Sequence, residues 1–424
     1  MYRFEFIVFK KVLWLNVLGY TKRLPHEFLT NSRDLINRIR RHACIGLYVG
    51  RNEGYPPATI DRALREQIHA QHPQLGYIPS SADDGVSGHG AYQLKPIKYY
   101  FTAQSGKFHS ERGLPAVPSY ESLCRMLQPD DLWPIGQAWA QHDFTLRGAQ
   151  SGQSFIDAVT NHFGQARDAR QFSEWAQWVN YDGYRAMYEG GSRDRMGLLI
   201  WMSHPCWPTM VWQTYDYYLE PTAAYFGVKK ACEPLHVQFN PVTNAVEVVN
   251  LAAGTHRGMQ LTAQTLAANG RLIRQWTSTV DSHDDQTLQP LTIELPNDDV
   301  YFIRLRLAEN GQTVSENTYV ESRQPDHWQA LCRLPKVRVD SEQSFHQEGE
   351  TIVGKVTLTN NADSPALMLR LNLKGSDGEQ ILPVIYSDNY FHLMPGERKT
   401  VTVSYRAEDG RGVKPQVALT WFNQ

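Results

Sequence analysis

The chain has 424 residues, too many for one compact domain, so two or three are expected. Apolar residues make up 42%, enough for ordinary cores, and a net charge of −2 argues against a dedicated nucleic-acid or anionic-membrane surface. The five cysteines (Cys44, Cys124, Cys206, Cys232, Cys332) are odd in number and widely spaced, with no CxxC or Cys/His pattern, so neither a disulfide framework nor a zinc site is indicated.

Residues 1–24 form an atypical N-terminal segment. Its apolar stretch is interrupted by Lys10 and Lys11, lacks a small-residue cleavage site and is too broken to span a membrane. Leu35, Ile36 and Ile39 then mark one face of an amphipathic helix over about Thr30–Arg41. Cys44–Val49 is a short apolar run that Gly50, Gly54, Pro56 and Pro57 break, a buried strand ending abruptly in a loop. Thr59 is a plausible N-cap for a helix bearing Ile60, Leu64 and Ile68. Tyr77–Ser81 reads as another strand, and a short strand ends at Ser110-Glu111. Ser119–Leu127 is helical in pattern, and Gln171–Glu189 is the clearest helix, with Phe172, Trp175, Ala176, Val179, Gly183, Ala186 and Met187 at helical spacing. Met196–Met202 reads as a buried strand and Pro221–Glu233 as a closing helix. Alternating strands and helices favour a parallel α/β arrangement.

From about Pro234 the periodicity changes to two. Leu235–Phe239, Ala245–Val249 and Leu291–Leu295 alternate, and Asn269-Gly270 and Asn310-Gly311 are hairpin-turn dipeptides. A β-sandwich over 234–324 follows. After a polar, Pro-containing linker, Thr351–Thr359, Ala366–Leu373, Lys399–Tyr405 and Gln416–Phe422 repeat the pattern, giving a second sandwich over 336–424.

The chemistry concentrates where strands leave the core. Arg51-Asn52-Glu53 follows one strand and Glu111 ends another. In parallel α/β folds the carboxyl ends of strands carry the reactive groups. Two carboxyl groups from separate strands suit retaining glycoside hydrolysis, provided they converge to about 5–5.5 Å. The competing reading is an ion-pair network. No metal or cofactor is called for. Asp83, Asp84 and Asp216 are assigned to turns or surface. The 11 Trp and 21 Tyr residues suit sugar-stacking sites, although most are expected in cores and interfaces.

Several ordered motifs resemble glycoside hydrolase family 2. GRNEGYPP is similar to its Asn-Glu acid/base segment, FHSERG to its nucleophile segment, and LLIWMSHPCWP to its last barrel strand with an active-site Trp. YDYYLEPTAAYFGVKKACEPLHVQF resembles the passage from barrel to sandwich, and ILPVIYSDNYFHLMPGERKTVTVSY the terminal sandwich of the β-mannosidase and exo-β-D-glucosaminidase branch. The resemblance implies a multidomain fold: a partial (β/α)8 TIM barrel over 25–233 followed by two immunoglobulin-like sandwiches. It implies Glu53 as general acid/base, Glu111 as nucleophile, Asn52 as a ligand of the hydroxyl beside the anomeric carbon, and Trp201 beneath the sugar ring. Trp139, His142 and Asp143 are further candidates for the pocket, against a reading as packing and turn residues. Glu53 is expected to be the less solvated carboxyl or to feel the charge of Glu111, and Arg112 to act as a cation near Glu111.

The implied substrate is an oligosaccharide or glycan. Asn52-Glu53 stands where exo-β-D-glucosaminidases of the branch carry Ser-Asp, which favours a neutral hexose such as β-mannose, exo or endo on N-glycans. An exo-β-D-glucosaminidase and a non-catalytic carbohydrate-binding or structural remnant are the alternatives. Oligomeric state and compartment stay open, with a periplasmic or secreted setting implied for the full-length family. The chain is expected to be the C-terminal part of a longer enzyme, because the family carries further domains and three barrel strands ahead of the acid/base strand. The expected outcome is weak or no hydrolysis of an aryl β-mannoside by the purified chain alone. Robust turnover would overturn that expectation.

Overall fold

The computed structural model describes residues 5–8, 23–83, 85–103, 106–147, 151–192 and 197–424. Asp84, Met196 and most of the N-terminal segment 1–24 lie outside the described residues. The chain divides into two compact units: Met1–Gly90 with Ser105–Arg112 and Arg195–Ile200, and the remainder.

The first unit is α/β. Strands β1 (Glu5–Val8), β2 (Ile45–Arg51) and β3 (Gly76–Ser80) form one sheet in the order β1-β2-β3, every pair parallel. Strands β4 (Val86–Ser87), β5 (Phe108–Arg112) and β6 (Leu198–Ile200) form a second parallel sheet. Helix α1 (Arg23–Ile39) starts earlier than the sequence pattern indicates. Helix α2 (Ala58–Gln71) buries Ile60, Leu64 and Ile68 as expected. Thr59 is not its cap: the helix follows Pro57, whose restricted φ delivers the chain to the first turn without a side-chain cap. Ile36, Ile45, Tyr48 and Ile68 pack into one small core, and the Tyr48 hydroxyl meets His72 Nδ1 at 3.0 Å.

The second unit holds α3 (Ile97–Thr102), α4 (Tyr120–Met126), α5 (Gln137–Gln141), α6 (Gly152–Phe163), α7 (Ala169–Glu189), α8 (Ala223–Ala231) and all later strands. Asp168 caps α7 by accepting the Gln171 N–H at 2.8 Å. The apolar positions expected along α7 are all buried. Strands β7 (Leu235–Asn240), β8 (Ala245–Asn250), β9 (His256–Ala267), β10 (Leu272–Ser282), β11 (Gln286–Thr292), β12 (Val300–Glu309) and β13 (Gln312–Ser322) build the sheets β10-β9-β12-β13 and β11-β8-β7. Inward residues such as Val237, Phe239, Val248, Leu261 and Leu305 fill the space between them. Asn310-Gly311 turns β12 into β13. The strand expected over Leu291–Leu295 lies earlier, as β11, whose register slips between Leu288 and Leu291, where Pro290 supplies no ladder donor.

The terminal sandwich pairs sheets β14-β15-β19-β17 and β18-β16-β20. Its strands are β14 (Val339–Glu348), β15 (Thr351–Asn360), β16 (Ala366–Gly375), β17 (Ile385–Tyr386), β18 (Phe391–Leu393), β19 (Arg398–Arg406) and β20 (Pro415–Thr420). Within this unit α7 is the common support. The Trp178 ring lies 5.1–5.4 Å, centroid to centroid, from Phe163, Trp328, His392 and Phe422, which joins helices, linker and terminal sandwich. Glu189, at the end of α7, accepts from His236 (3.0 Å), Asn317 (3.0 Å) and the Tyr319 hydroxyl (2.8 Å) of the first sandwich.

A buried polar network anchors the terminal sandwich to the turn Asp216–Glu220. Asp216 accepts the Tyr218 and Glu220 N–H groups (both 2.9 Å) and the Ser122 hydroxyl (2.5 Å). Glu220 accepts from Ser119 (2.7 Å), from Gln380 (3.0 Å) and from Arg370 (2.5 Å), which also reaches Glu121 at 2.9 Å. Burial, followed by the charge of Glu220, pushes the Asp216 carboxyl up to about 7.

Two outcomes follow. Trp178→Ala should cost about 3–5 kcal/mol, read by chemical denaturation, because the cavity opens where three segments meet. Asp216 holds its proton in the folded chain at pH values where the unfolded chain has lost it, so stability should fall as pH rises from about 4 to about 7. Asp216→Asn should flatten that part of the melting-temperature profile and leave the variant at least as stable as the parent at pH 8.

Candidate active site

In the first unit, β2 delivers Arg51-Asn52-Glu53 to its carboxyl end. The Arg51 guanidinium closes the loop on the Tyr55 carbonyl at 2.9 Å. Glu53 has φ of 51°, the left-handed region, an uncommon conformation for a residue with a side chain. Ser81 holds this bend. Its N–H donates to the Arg51 carbonyl (3.0 Å), its Oγ accepts the Glu53 N–H (2.9 Å), and that hydroxyl donates to Asn52 Oδ1 (3.4 Å). The Ser81 carbonyl accepts from Ser110 Oγ at 2.6 Å, and Ser110 precedes Glu111 on β5. One buried serine therefore links the loop that bears Asn52 and Glu53 to the strand that bears Glu111. Gly88 is needed beside it: a Cβ there would stand 2.4 Å from the Ser81 carbonyl oxygen and 2.6 Å from Ser110 Oγ.

Glu111 is only 6% exposed, and His109 and Arg112 are buried with it. Glu53 is exposed. Of the two alternatives expected for Glu53, lower solvation does not hold, because the left-handed bend places Glu53 at the outer turn while Glu111 stays within its strand.

In the second unit the chain resumes at Gly113. A Cβ at that position would stand 2.1 Å from the Trp201 carbonyl oxygen and 2.9 Å from the Trp212 Cβ, so only glycine fits between these segments. The segment 114–118 is strapped by one face of α7. Tyr184 Oη meets the Leu114 N–H and C=O (both 3.1 Å), Asn180 donates to the Pro115 carbonyl (2.7 Å), Gln177 to Val117 (2.5 Å) and Ser173 to Pro118 (2.7 Å). Trp201 is half-buried and joined to Met202 by a cis peptide; the Met202 N–H donates to the Trp212 carbonyl.

The three further candidates separate. Trp139 is fully buried against Phe144 and Phe172, with its indole N–H 3.2 Å from the Asp131 carbonyl, so it is a core residue and offers no ring face to a substrate. His142 and Asp143 are half-buried and tied to the loop after Trp201. His142 Nδ1 lies 2.8 Å from the Pro208 carbonyl, and Asp143 Oδ2 accepts the Thr209 hydroxyl at 2.7 Å. Sequence reasoning missed Ser81, Ser110 and the polar stripe Ser173, Gln177, Asn180 and Tyr184. The stripe had a signal: four hydrogen-bonding residues at helical spacing on an otherwise apolar helix. Among the described residues no His, Cys, Asp and Glu side chains group as a metal site, and no helix is long and apolar enough to cross a membrane.

Comparison with known proteins places this arrangement. A family model described as the exo-β-D-glucosaminidase Ig-fold domain matches residues 317–424. The chain is 26% identical to the exo-β-D-glucosaminidase of Streptomyces avermitilis, over 91% of this chain and 48% of that protein. It is 25% identical to the mannosylglycoprotein endo-β-mannosidase of Lilium longiflorum, over 93% and 53%. The crystal structure of the exo-chitosanase CsxA of Amycolatopsis orientalis matches with a TM-score of 0.86 at 24% identity, covering 93% of this chain and 52% of that one. The fold is shared with it. The chain spans about half the length of the curated relatives it matches. The chain is thus homologous to exo-β-D-glucosaminidases, a mannosylglycoprotein endo-β-mannosidase and β-mannosidases, all glycosidases, a set of relatives consistent with glycoside hydrolase family 2.

Proposed function

We propose that this chain carries the two catalytic carboxyl groups of a retaining β-glycosidase, on strands that belong to a partial (β/α)8 barrel. The observation that carries the reading is the Ser81 bridge, which ties the Glu53 loop to the Glu111 strand. Glu111 attacks the anomeric carbon as Glu53 protonates the glycosidic oxygen. The aglycone leaves as an alcohol and a glycosyl-enzyme ester remains. Water then attacks the same carbon, Glu53 takes its proton, and the Glu111 carboxylate is released. The required separation of the carboxyl groups is about 5–5.5 Å. Asn52, with Oδ1 beside the Ser81 hydroxyl, has its amide N–H groups left to hold the hydroxyl next to the reacting carbon.

The substrate we favour is a β-mannoside, because Asn52-Glu53 lacks the second carboxylate that would pair with an amino sugar. A β-glucosaminide is the second reading, favoured by the match of residues 317–424 to a domain described from exo-β-D-glucosaminidases. Aryl β-mannoside and aryl β-glucosaminide, assayed side by side, decide between them: faster turnover of the mannoside supports the first.

In an intact version of the enzyme, Glu111→Gly should abolish turnover, and azide should restore it with inverted product. Normal rates in that variant would end the assignment. Glu53→Ala should slow substrates with poor leaving groups about 10²–10⁴-fold and activated aryl glycosides far less, since only the former need protonation. Equal losses on both would count against Glu53 as the acid.

A further inference from the structure

Within the second unit, residues 94–97, helices α6 and α7 and the linker after β13 enclose a cavity of about 130 Å³. One water needs only ~10–15 Å³. His162, near the end of α6, lines the cavity and is 8% exposed. Its Nδ1 lies 2.7 Å from the Ala158 carbonyl oxygen, which can only accept, so Nδ1 carries the proton and Nε2 is an acceptor. Burial holds the imidazole below its ordinary range, so the ring is neutral near pH 7. Nε2 faces Asp326 Oδ1 at 3.7 Å, too far for a hydrogen bond, and has no donor among the described residues. Two acceptors thus stand side by side with no proton between them.

The surroundings are anionic. Asp182 of α7 lines this cavity and an adjoining one of about 30 Å³, and Trp328 is a wall of both. Arg185 donates to Asp182 Oδ1 at 2.5 Å, yet burial pushes the Asp182 carboxyl up to about 6. Glu321 lines the adjoining cavity, and its carboxyl has no hydrogen bond or ion pair among the described residues. Burial, then the charge of Asp326, pushes Glu321 up to about 7; Lys98 opposes this from beyond ion-pair distance. Lys95, which also lines the larger cavity, turns its ammonium group to Gln93 Oε1 at 3.1 Å. Neither lysine brings a donor to the gap between His162 and Asp326.

Such a site selects a cation that carries its own N–H groups. Charge-assisted bonds of this kind are about 2.9 Å long, so one nitrogen reaches two acceptors that stand 3.7 Å apart. A metal ion fits less well, because among the described residues no three His, Cys, Asp or Glu side chains converge as ligands. An anion would meet repulsion from Asp326 and Asp182. We propose that this cavity binds a small primary-ammonium compound, whose nitrogen donates to His162 Nε2 and Asp326 Oδ1 while the rest of the molecule lies against Trp328. The Asp326 side chain is 32% exposed, which gives the ligand its way in. The inference is independent of the glycosidase reading: every residue it uses belongs to the second unit, and none is assigned to catalysis.

Calorimetric titration of the full chain with putrescine and with D-glucosamine tests this, against 1,4-butanediol, glucose and tetramethylammonium. At least one amine should bind: glucosamine alone assigns the site to amino sugars, and putrescine, with or without glucosamine, to aliphatic amines. The neutral analogue of that amine lacks the charge and tetramethylammonium lacks N–H donors, so each should bind at least about tenfold more weakly. Asp326→Asn should weaken amine binding about tenfold. Asn accepts the φ of 61° at this position as Asp does, and an unchanged melting temperature checks that the fold is kept. Should the melting temperature fall, the comparison with tetramethylammonium, made on the parent chain, decides alone. A parent chain that binds neither amine, or binds tetramethylammonium equally well, overturns the site. So does a folded Asp326→Asn variant with unchanged amine affinity, and so does a crystal soaked in the amine that holds only ordered water beside His162 and Asp326.

Discussion

The first unit depends on the three hydrogen-bonding groups of Ser81. Parallel strands are joined by crossovers rather than tight turns, so their ends have no local reason to stay in register. Here one residue supplies an N–H and a hydroxyl to the Arg51–Glu53 bend and a carbonyl to the strand that holds Ser110. The hydroxyl can accept from Glu53 and donate to Asn52 together because it has one proton and two lone pairs. The left-handed bend at Glu53 costs conformational energy, and the hydrogen bond to its N–H is what the fold sets against it. The bend is thus held through its backbone at Arg51 and Glu53 as well as through the Asn52 side chain.

Much of this was legible in the chain, for physical reasons that differ by region. The apolar period of Phe172, Trp175, Ala176, Val179, Gly183 and Met187 had only one solution, a helix buried along that face, and α7 is that helix. The alternation in Ala366–Leu373 and Lys399–Tyr405 likewise had one solution, and both stretches are strands. Strand-end carboxyl groups were visible because Gly and Pro punctuate the runs before and after them. Trp139 was left between pocket and packing because an indole in a WAQHD stretch carries no sign of direction; its burial follows from contacts with Phe172, far along the chain. Which of Glu53 and Glu111 is the more solvated was not legible for a related reason. It depends on a positive φ and on strand packing, neither of which leaves a mark in composition.

Helix α7 has two jobs that its sequence superimposes. Its apolar side fills the core, and Trp178 gathers rings from three parts of the second unit. Its polar stripe satisfies the backbone of residues 114–118, a stretch with a single bridge, Pro115 to Val211, to pair it as a strand. Buried carbonyls need partners, and side chains from a neighbouring helix replace the missing ladder.

Arg370 gives the terminal sandwich a role beyond adding bulk. Burial alone would drive the Glu121 carboxyl up; the guanidinium of Arg370 is what holds it below the ordinary range, and the same group pairs with Glu220. The last domain is in effect a tethered counter-ion for a loop encoded some 150 residues earlier. Trimming the chain before β16 would strip two sequestered anions of their neutralising partner, a heavier penalty than the loss of domain contact area alone, and it would fall on the turn that closes the loop begun by Trp201.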